Sequence, residues 1–277
     1  MREASAVDDA AALLGLRIVR RFDASMFGAA LVEGRGDEPL VLKASVDRAL
    51  APEWSTGVAM ASRLRALGYP ASNYVDTGTT DHLVWSLQHV LPGRVPDLFT
   101  AAHATQLIAL ARRHDIDSGM RQPWDALARE ESRRALTQLG SLPDRFDVTL
   151  GAVLDRTDGV ALAQTTVVHG DFHHRNFLVD EEDRITGVFD WDIAAPGDWR
   201  FDLVNLAFAC RMYPKTCEPT ALASGTAAVR EDCDAPTAAF LTSCQTLRAL
   251  SMLRTRRPEW VEPASRRMEA TLGEWWI

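Results

Sequence analysis

Lysine is the scarce residue of this chain. Of the 30 Lys and Arg among 277 residues, two are lysine, Lys43 and Lys215, and 28 are arginine. Neither lysine follows a glycine, so the Gly-Lys pair of a Walker A phosphate loop is missing. The 38 Asp and Glu outnumber the cations and leave a net charge of −8. No basic stripe able to follow a nucleic-acid backbone is present. No uncharged apolar run reaches the roughly 18 residues of a membrane span. Cys210, Cys217, Cys233 and Cys244 are spaced 7, 16 and 11 apart, which fits no zinc pattern and reads as buried thiols of a reducing compartment. Gly-x-Ser-x-Gly and His-Glu-x-x-His are absent, which removes those hydrolase and metalloprotease signatures. Met1-Arg2-Glu3-Ala4-Ser5-Ala6-Val7-Asp8-Asp9 carries acids where a signal peptide has basic and apolar regions. A cytoplasmic protein without nucleic-acid or membrane partners is expected, and its acidity favours cationic ligands.

What is present is a globular composition, 47% hydrophobic and 25% charged. The chain divides into residues 1–90 and 91–277. After a short helix at about 6–16, strand patterns run from 17 to 47. Gly34-Arg35-Gly36-Asp37-Glu38-Pro39 forms a hairpin connection between Ala29-Ala30-Leu31-Val32-Glu33 and Leu40-Val41-Leu42-Lys43-Ala44. A helix at about 51–67 stops at Gly68 and Pro70. Strands at about 73–77 and 82–90 lead to Leu91-Pro92-Gly93, the expected interdomain hinge. Helical patterns then dominate at 101–114, 123–139, 201–211, 219–230, 235–254 and 260–275, with a short β unit after His169. A small strand-rich lobe joined to a larger helical lobe is an α+β architecture.

The chemistry is concentrated in Val167-Val168-His169-Gly170-Asp171-Phe172-His173-His174-Arg175-Asn176 and in Phe189-Asp190-Trp191-Asp192. An apolar strand ends in a polar loop, and a hairpin then turns at Glu181-Glu182-Asp183. Pairing Leu178 with Val188 would set Asn176 opposite Asp190, at about 4.5–5.5 Å between Cβ atoms. With Asp171 nearby, three hard oxygen donors converge, a set suited to Mg²⁺ beside phosphates. His-x-Asp, four residues and then Asn is also the spacing of the kinase phosphoryl-transfer loop, in which Asp takes the hydroxyl proton and Asn and a later Asp hold the metal. Gly170 stands where a protein kinase has Arg, and neither Asp-Phe-Gly nor Ala-Pro-Glu follows. That points to a small-molecule kinase.

His169-Gly170-Asp171-Phe172-His173-His174-Arg175-Asn176, Phe189-Asp190-Trp191-Asp192 and Gly197-Asp198-Trp199-Arg200-Phe201-Asp202-Leu203 together resemble the aminoglycoside phosphotransferase and choline kinase family. The resemblance is dense over 169–203 and loose over 17–93. It implies a protein-kinase-like two-lobe fold, with Asp171 as catalytic base and Asn176 and Asp190 as Mg²⁺ ligands. It also implies Lys43 as the lysine that contacts the α and β phosphates of ATP or GTP. A strand lysine in so arginine-rich a chain fits a position wanting a compact ammonium. The family's partner glutamate would align near Gly57, and Glu53, one turn earlier on the same helical face, is the candidate. Ser25-Met26-Phe27-Gly28 reads either as the loop whose amides cover the phosphates, with Ser25 and Gly28 at its ends, or as a plain hairpin turn. Gln88 and Val90 would present backbone groups to the purine.

His173 matches the family's common histidine, whereas His174 and Arg175 depart from its frequent Pro and Gly. Three imidazoles in six residues admit a zinc reading, against which the oxygen donors argue. Asp198 and Asp202 read as structural acids near a helix start. Asp198 is also, with Glu231 and Asp234, a candidate for an amine-binding cleft. The expected activity is ATP- or GTP-dependent phosphorylation of a hydroxyl on a small cationic antibiotic, an aminoglycoside first, conferring resistance. The alternatives are a cyclic peptide antibiotic of the viomycin or capreomycin type, a metabolite such as choline, homoserine or methylthioribose, and a non-catalytic kinase-like binding protein.

Overall fold

Residues 2–22, 28–34 and 38–273 are described by the structure, a computed structural model. In chain order the first elements are α1 (Arg2–Leu14), β1 (Arg17–Arg21), β2 (Gly28–Glu33), β3 (Pro39–Ser45), α2 (Ala51–Ala66), β4 (Tyr74–Thr79) and β5 (Val84–His89). Next come α3 (Ala101–Arg112), α4 (Trp124–Leu139), α5 (Phe146–Arg156), β6 (Thr166–Val168), β7 (Phe177–Val179), β8 (Ile185–Val188) and β9 (Ala195–Gly197). Four helices close the chain: α6 (Arg200–Met212), α7 (Pro219–Asp232), α8 (Ala235–Arg256) and α9 (Val261–Gly273). Among these described residues no helix is long and apolar enough to cross a membrane.

The chain forms two units, Met1–Arg94 with Phe177–Ala195, and Val95–Asn176 with Pro196–Ile277. The boundary expected at 90/91 thus falls at 94/95, and the hairpin β7–β8 belongs with the first unit. Backbone bonds explain this. Arg94 and Val179 exchange bonds of 3.0 and 2.9 Å, and the Val188 amide donates to the Pro70 carbonyl at 2.7 Å. Thr186 Oγ1 donates to the Pro92 carbonyl at 2.6 Å, fastening Leu91-Pro92-Gly93 to the same hairpin.

In the first unit the strands form an antiparallel sheet of order β1-β2-β3-β5-β4. Ala6, Val7, Ala10 and Ala11 recur at helical spacing on α1 and pack against Ala30, Val32, Leu42, Ala44, Trp85 and Leu87. Alternation along β3 sends Leu42 and Ala44 into that core and Lys43 to the opposite face. Across the ladder Lys43 lies beside Ala29 and Ser86, whose small side chains leave room for it. The β7–β8 hairpin pairs Phe177 with Val188 and Leu178 with Gly187, one residue away from the expected Leu178–Val188 register. An irregularity between Leu178 and Val179 shifts the register once more toward the turn, where Val179 pairs with Ile185, and Asp180 Oδ1 ties the turn by accepting from the amides of Glu182 and Arg184. The register that was to bring Asn176 opposite Asp190 is therefore corrected.

The second unit is helical, with the short ribbon β6–β9. Helix α8 starts at Asp234, whose carboxylate caps the Thr237 amide at 2.9 Å. From Thr237 to Leu247 every residue of α8 is buried, so the helix runs through the middle of the unit rather than along its surface. Helix α5 was not expected from the sequence. Pro143, and positive φ at Asp144 and Arg145 (54° and 60°), precede it and blur its start.

Candidate active site

In the second unit the apolar strand β6 ends at the His169-Gly170-Asp171 loop. Gly170 has φ +80°, a left-handed conformation that costs a residue with a Cβ, which accounts for glycine here. The loop is pinned from α6. Asp202, fully buried, accepts from the amides of His169 (2.8 Å) and Gly170 (3.0 Å) and contacts His114 Nδ1 at 2.8 Å. A buried carboxylate persists when its oxygens are satisfied in this way. Asn205 Nδ2 donates to the Gly170 carbonyl at 2.9 Å, and Gln245 supports Asn205 at 3.1 Å.

Asp171 emerges from this scaffold. Asn176 Nδ2 donates to its backbone carbonyl (2.9 Å) and to Oδ2 (3.0 Å), and His173 Nε2 lies 3.3 Å from Oδ2. Arg248 on α8 donates to the Gly170 carbonyl and sets Nη2 4.0 Å from Asp171 Oδ1. Burial would raise the Asp171 carboxyl, but the hydrogen bond and charge of His173, then Arg248 and His169, hold it well below the usual carboxylate range. The group is ionised at neutral pH, as a proton acceptor must be.

In the first unit Lys43 Nζ meets two carboxylates, Asp190 Oδ1 at 2.5 Å and Asp192 Oδ2 at 2.8 Å. Burial works against its charge, yet Asp192 and Asp190 outweigh it and raise the ammonium above its ordinary range. Asp190 has φ +69°, uncommon for a residue other than glycine. Tyr74 adjoins the group. Its hydroxyl is raised by burial and by Asp192, and it bonds to the Trp191 backbone.

Lys43 and Asp190 are thus brought together in one unit, and Asp171 and Asn176 in the other. Glu53 is exposed in the first turn of α2, and the close carboxylates of Lys43 are Asp190 and Asp192. The partner expected in Glu53 is corrected to Asp192, because the Glu53 side chain lies exposed on α2 while Asp192 reaches Lys43 at 2.8 Å. At Gly57, where the family glutamate would align, a Cβ would stand 2.0 Å from the Trp191 carbonyl oxygen. That position admits no side chain, and the acid on Lys43 is instead Asp192, next to Trp191 in the chain.

Gly28 opens β2 opposite Ala44, while Ser25 lies outside the described residues. Gln88 is buried in β5 between Val41 and Tyr74, and Val90 follows it with 43% exposure. Asp198 is fully buried, bound to Arg200 (2.6 Å) and to the Ala163 amide (2.9 Å). Its expected amine-binding role is corrected to a structural one. Asp234 caps α8 fourteen residues before Arg248, about 21 Å along the helix at 1.5 Å per residue, which removes it from Asp171. Glu231 is paired with Arg112 at 2.6 Å. His174 is buried between Phe99 and Tyr213 and bonds Thr216 at 3.0 Å, so its ring serves packing.

Among the described residues no three His, Cys, Asp or Glu gather as a metal-holding group. A hard cation shared with phosphates asks for less. Because Asn176 spends its Nδ2 on Asp171, its Oδ1 faces away as an acceptor. Asp190 is 38% exposed. Each of these is an oxygen donor of the kind Mg²⁺ takes.

Asp192, Tyr74, Asn205, His114 and Arg248 were missed as contributors to these clusters. For Asp192 a signal existed, an acid two residues from Asp190. Nothing local marks Arg248.

Fold and clusters together define a small-molecule phosphotransferase of kinase-like α+β architecture. The family model of the phosphotransferase enzyme family, APH, matches residues 29–240, and the chain belongs to that family. No curated protein matches the sequence. A type VIII aminoglycoside-3'-phosphotransferase is 21% identical, with a TM-score of 0.65 over 87% of this chain and 98% of its own. The macrolide 2'-phosphotransferase MphH from Brachybacterium faecium is 19% identical, with a TM-score of 0.59 over 95% and 96%. A thermostable mutant of aminoglycoside phosphotransferase APH(4)-Ia, in ternary complex with ADP and hygromycin B, is 15% identical, with a TM-score of 0.70 over 97% and 98%. At such identities the likeness carries the fold.

Proposed function

We propose that the protein transfers the γ-phosphate of ATP or GTP to a hydroxyl of an antibiotic, with aminoglycosides as the first acceptor class. The observation that carries this reading is the state of Asp171. Oδ2 is held by Asn176 and His173, while Oδ1 belongs to a side chain still 32% exposed, on a loop pinned by Asp202. A fixed, ionised carboxylate with one oxygen available is a general base for an alcohol.

In this reading Asp171 aligns the hydroxyl and takes its proton. Lys43, steadied by Asp190 and Asp192, orients the α and β phosphates. Asn176 Oδ1 and the Asp190 carboxylate would hold Mg²⁺, which when bound neutralises phosphate charge. Most of the acceleration would come from positioning and charge compensation. The neighbour solved with ADP and hygromycin B supports a nucleotide and an antibiotic as co-substrates.

A second reading has a specific basis. With Asp198 turned inward and Asp234 used as a cap, two of three acids expected to bind amines are spent on the fold. This favours an acceptor of lower positive charge, such as a macrolide. Expression in a sensitive bacterium, with resistance measured against aminoglycosides, macrolides and tuberactinomycins, separates the two. Resistance to none of the three would shift the reading to a metabolite kinase. Asp171→Asn in the same strain should abolish any resistance, and its persistence would support a non-catalytic binding protein.

A further inference from the structure

Arg248 stands out because it reaches the catalytic loop from 77 positions away without being required to hold it. The Gly170 carbonyl already accepts from Asn205 Nδ2 at 2.9 Å, and Arg248 Nη1 is a second donor to the same oxygen. That bond anchors one end of the guanidinium. The other end, Nη2, lies 4.0 Å from Asp171 Oδ1, too far for a hydrogen bond, on a side chain 44% exposed. Meanwhile Oδ2 of the same carboxylate is engaged by Asn176 at 3.0 Å and His173 at 3.3 Å. The oxygen with capacity for a new proton is therefore Oδ1, the one that faces the guanidinium across a gap.

Two polar atoms 4.0 Å apart leave room for one oxygen at about 2.8 Å from each. Resting on the phosphotransfer reading above, we propose that Arg248 is a further catalytic residue, which donates a hydrogen bond to the attacking oxygen of the acceptor while Asp171 Oδ1 receives its proton. The acceptor O–H bond breaks toward Asp171 and a new O–P bond forms to the γ-phosphorus. The bond to the leaving oxygen breaks with its electron pair, which departs on the nucleoside diphosphate. Throughout, the guanidinium faces an oxygen that gains negative character as its proton leaves. Its planar fork lets one N–H stay on Gly170 while another turns to the substrate, which a lysine ammonium in its place would do less well.

The test uses the full chain with MgATP and water as the acceptor, so that no antibiotic need be known. Phosphate release and ATP binding are measured for wild type, Asp171→Asn, Arg248→Met and Arg248→Lys, each checked for folding by thermal unfolding. Arg248→Met should cut kcat by roughly 100-fold, the scale for losing one donor to a developing oxyanion, with ATP affinity unchanged. Arg248→Lys should fall between it and wild type. Added guanidinium ion should restore part of the Arg248→Met rate and none of the Asp171→Asn rate. Wild-type turnover in Arg248→Met, a loss confined to ATP affinity, or no response to guanidinium would overturn the proposal. If Arg248→Met fails to fold, Arg248→Lys turning over at the wild-type rate would do the same. Wild-type turnover that does not depend on Asp171 would instead remove the phosphotransfer reading beneath it.

Discussion

The two charged clusters of this chain are inverses of each other. Around Lys43 one ammonium is shared by two carboxylates, Asp190 and Asp192, with Tyr74 at the edge. Around Asp171 one carboxylate is surrounded by donors from Asn176, His173 and Arg248. The first carries surplus negative charge and suits a site that will receive a cation with its phosphates. The second leaves a single basic oxygen facing a cation and suits a departing proton. They are also supported differently. Close packing of Gly57 against Trp191 places Asp192, whereas buried hydrogen bonds from Asp202 and Asn205 hold the Asp171 loop. In the proposed reading, charge balance within each cluster, more than its residue list, separates nucleotide handling from proton handling.

Substitutions can break that division, and the largest effect should come from the proton acceptor itself. Asp171→Asn should lower phosphate transfer by up to about 10⁴-fold while nucleotide titration stays unchanged; a matching loss of nucleotide affinity would erase the distinction between the clusters. Next is the support beneath it. Asp202→Ala strands two amides and His114, and should cost roughly 3–5 kcal/mol in urea denaturation. A shift of only a few tenths would mean that Asn205 holds the loop alone.

The packing support is expected to be less costly to disturb. Gly57→Ala pushes a Cβ into the Trp191 carbonyl and should destabilise by about 1–3 kcal/mol. Its KM for nucleotide should rise more than its kcat falls, because Asp192 moves with Trp191. Equal changes in both would argue that Gly57 serves stability alone. Asp192→Asn removes one charge-assisted hydrogen bond, worth about 1.5 kcal/mol, and should weaken nucleotide binding roughly tenfold. Isothermal titration checks it, and unchanged affinity would show that Asp190 suffices.

Asp234→Ala, at the start of α8 and remote from Asp171, sets the baseline at about 1 kcal/mol for a lost helix cap. Thr237 bonds hold the Asp234 carboxyl below its ordinary range. A carboxyl depressed on folding stabilises above its unfolded pKa and loses that contribution as pH falls through the folded one. The gap between wild type and Asp234→Ala in thermal unfolding should therefore close on acidification. A gap constant down to strongly acid pH would show that ionisation plays no part.

Much of the architecture was legible because its signals are local. Helices α2, α3, α4, α6, α7 and α8 fall within two residues of the periodic segments at 51–67, 101–114, 123–139, 201–211, 219–230 and 235–254. Asp171 and Asn176 share one loop, so their spacing foretold their contact. Lys43 and Asp190 meet across 147 positions; the family resemblance gave each a separate role, and neither it nor spacing foretold their contact. The hairpin register failed because the turn sets Val179 against Ile185 and an irregularity follows at Leu178, neither of which strand alternation reveals. Asp198, Glu231 and Asp234 were chosen for charge alone, and charge does not show whether a carboxylate is already committed to a neighbour.

The sequence by itself determined the order of elements and the motifs that supply a base, an amide and a carboxylate in kinase-like spacing. Chain stiffness, turn preference and side-chain period act over a few residues, so those features can be read along the chain. Only the tertiary structure decided that Lys43 answers to Asp192 and not to Glu53, that Asp198 faces inward, and that Arg248 reaches the open oxygen of Asp171. Each of those outcomes depends on which surfaces pack together, and packing joins residues the chain keeps far apart.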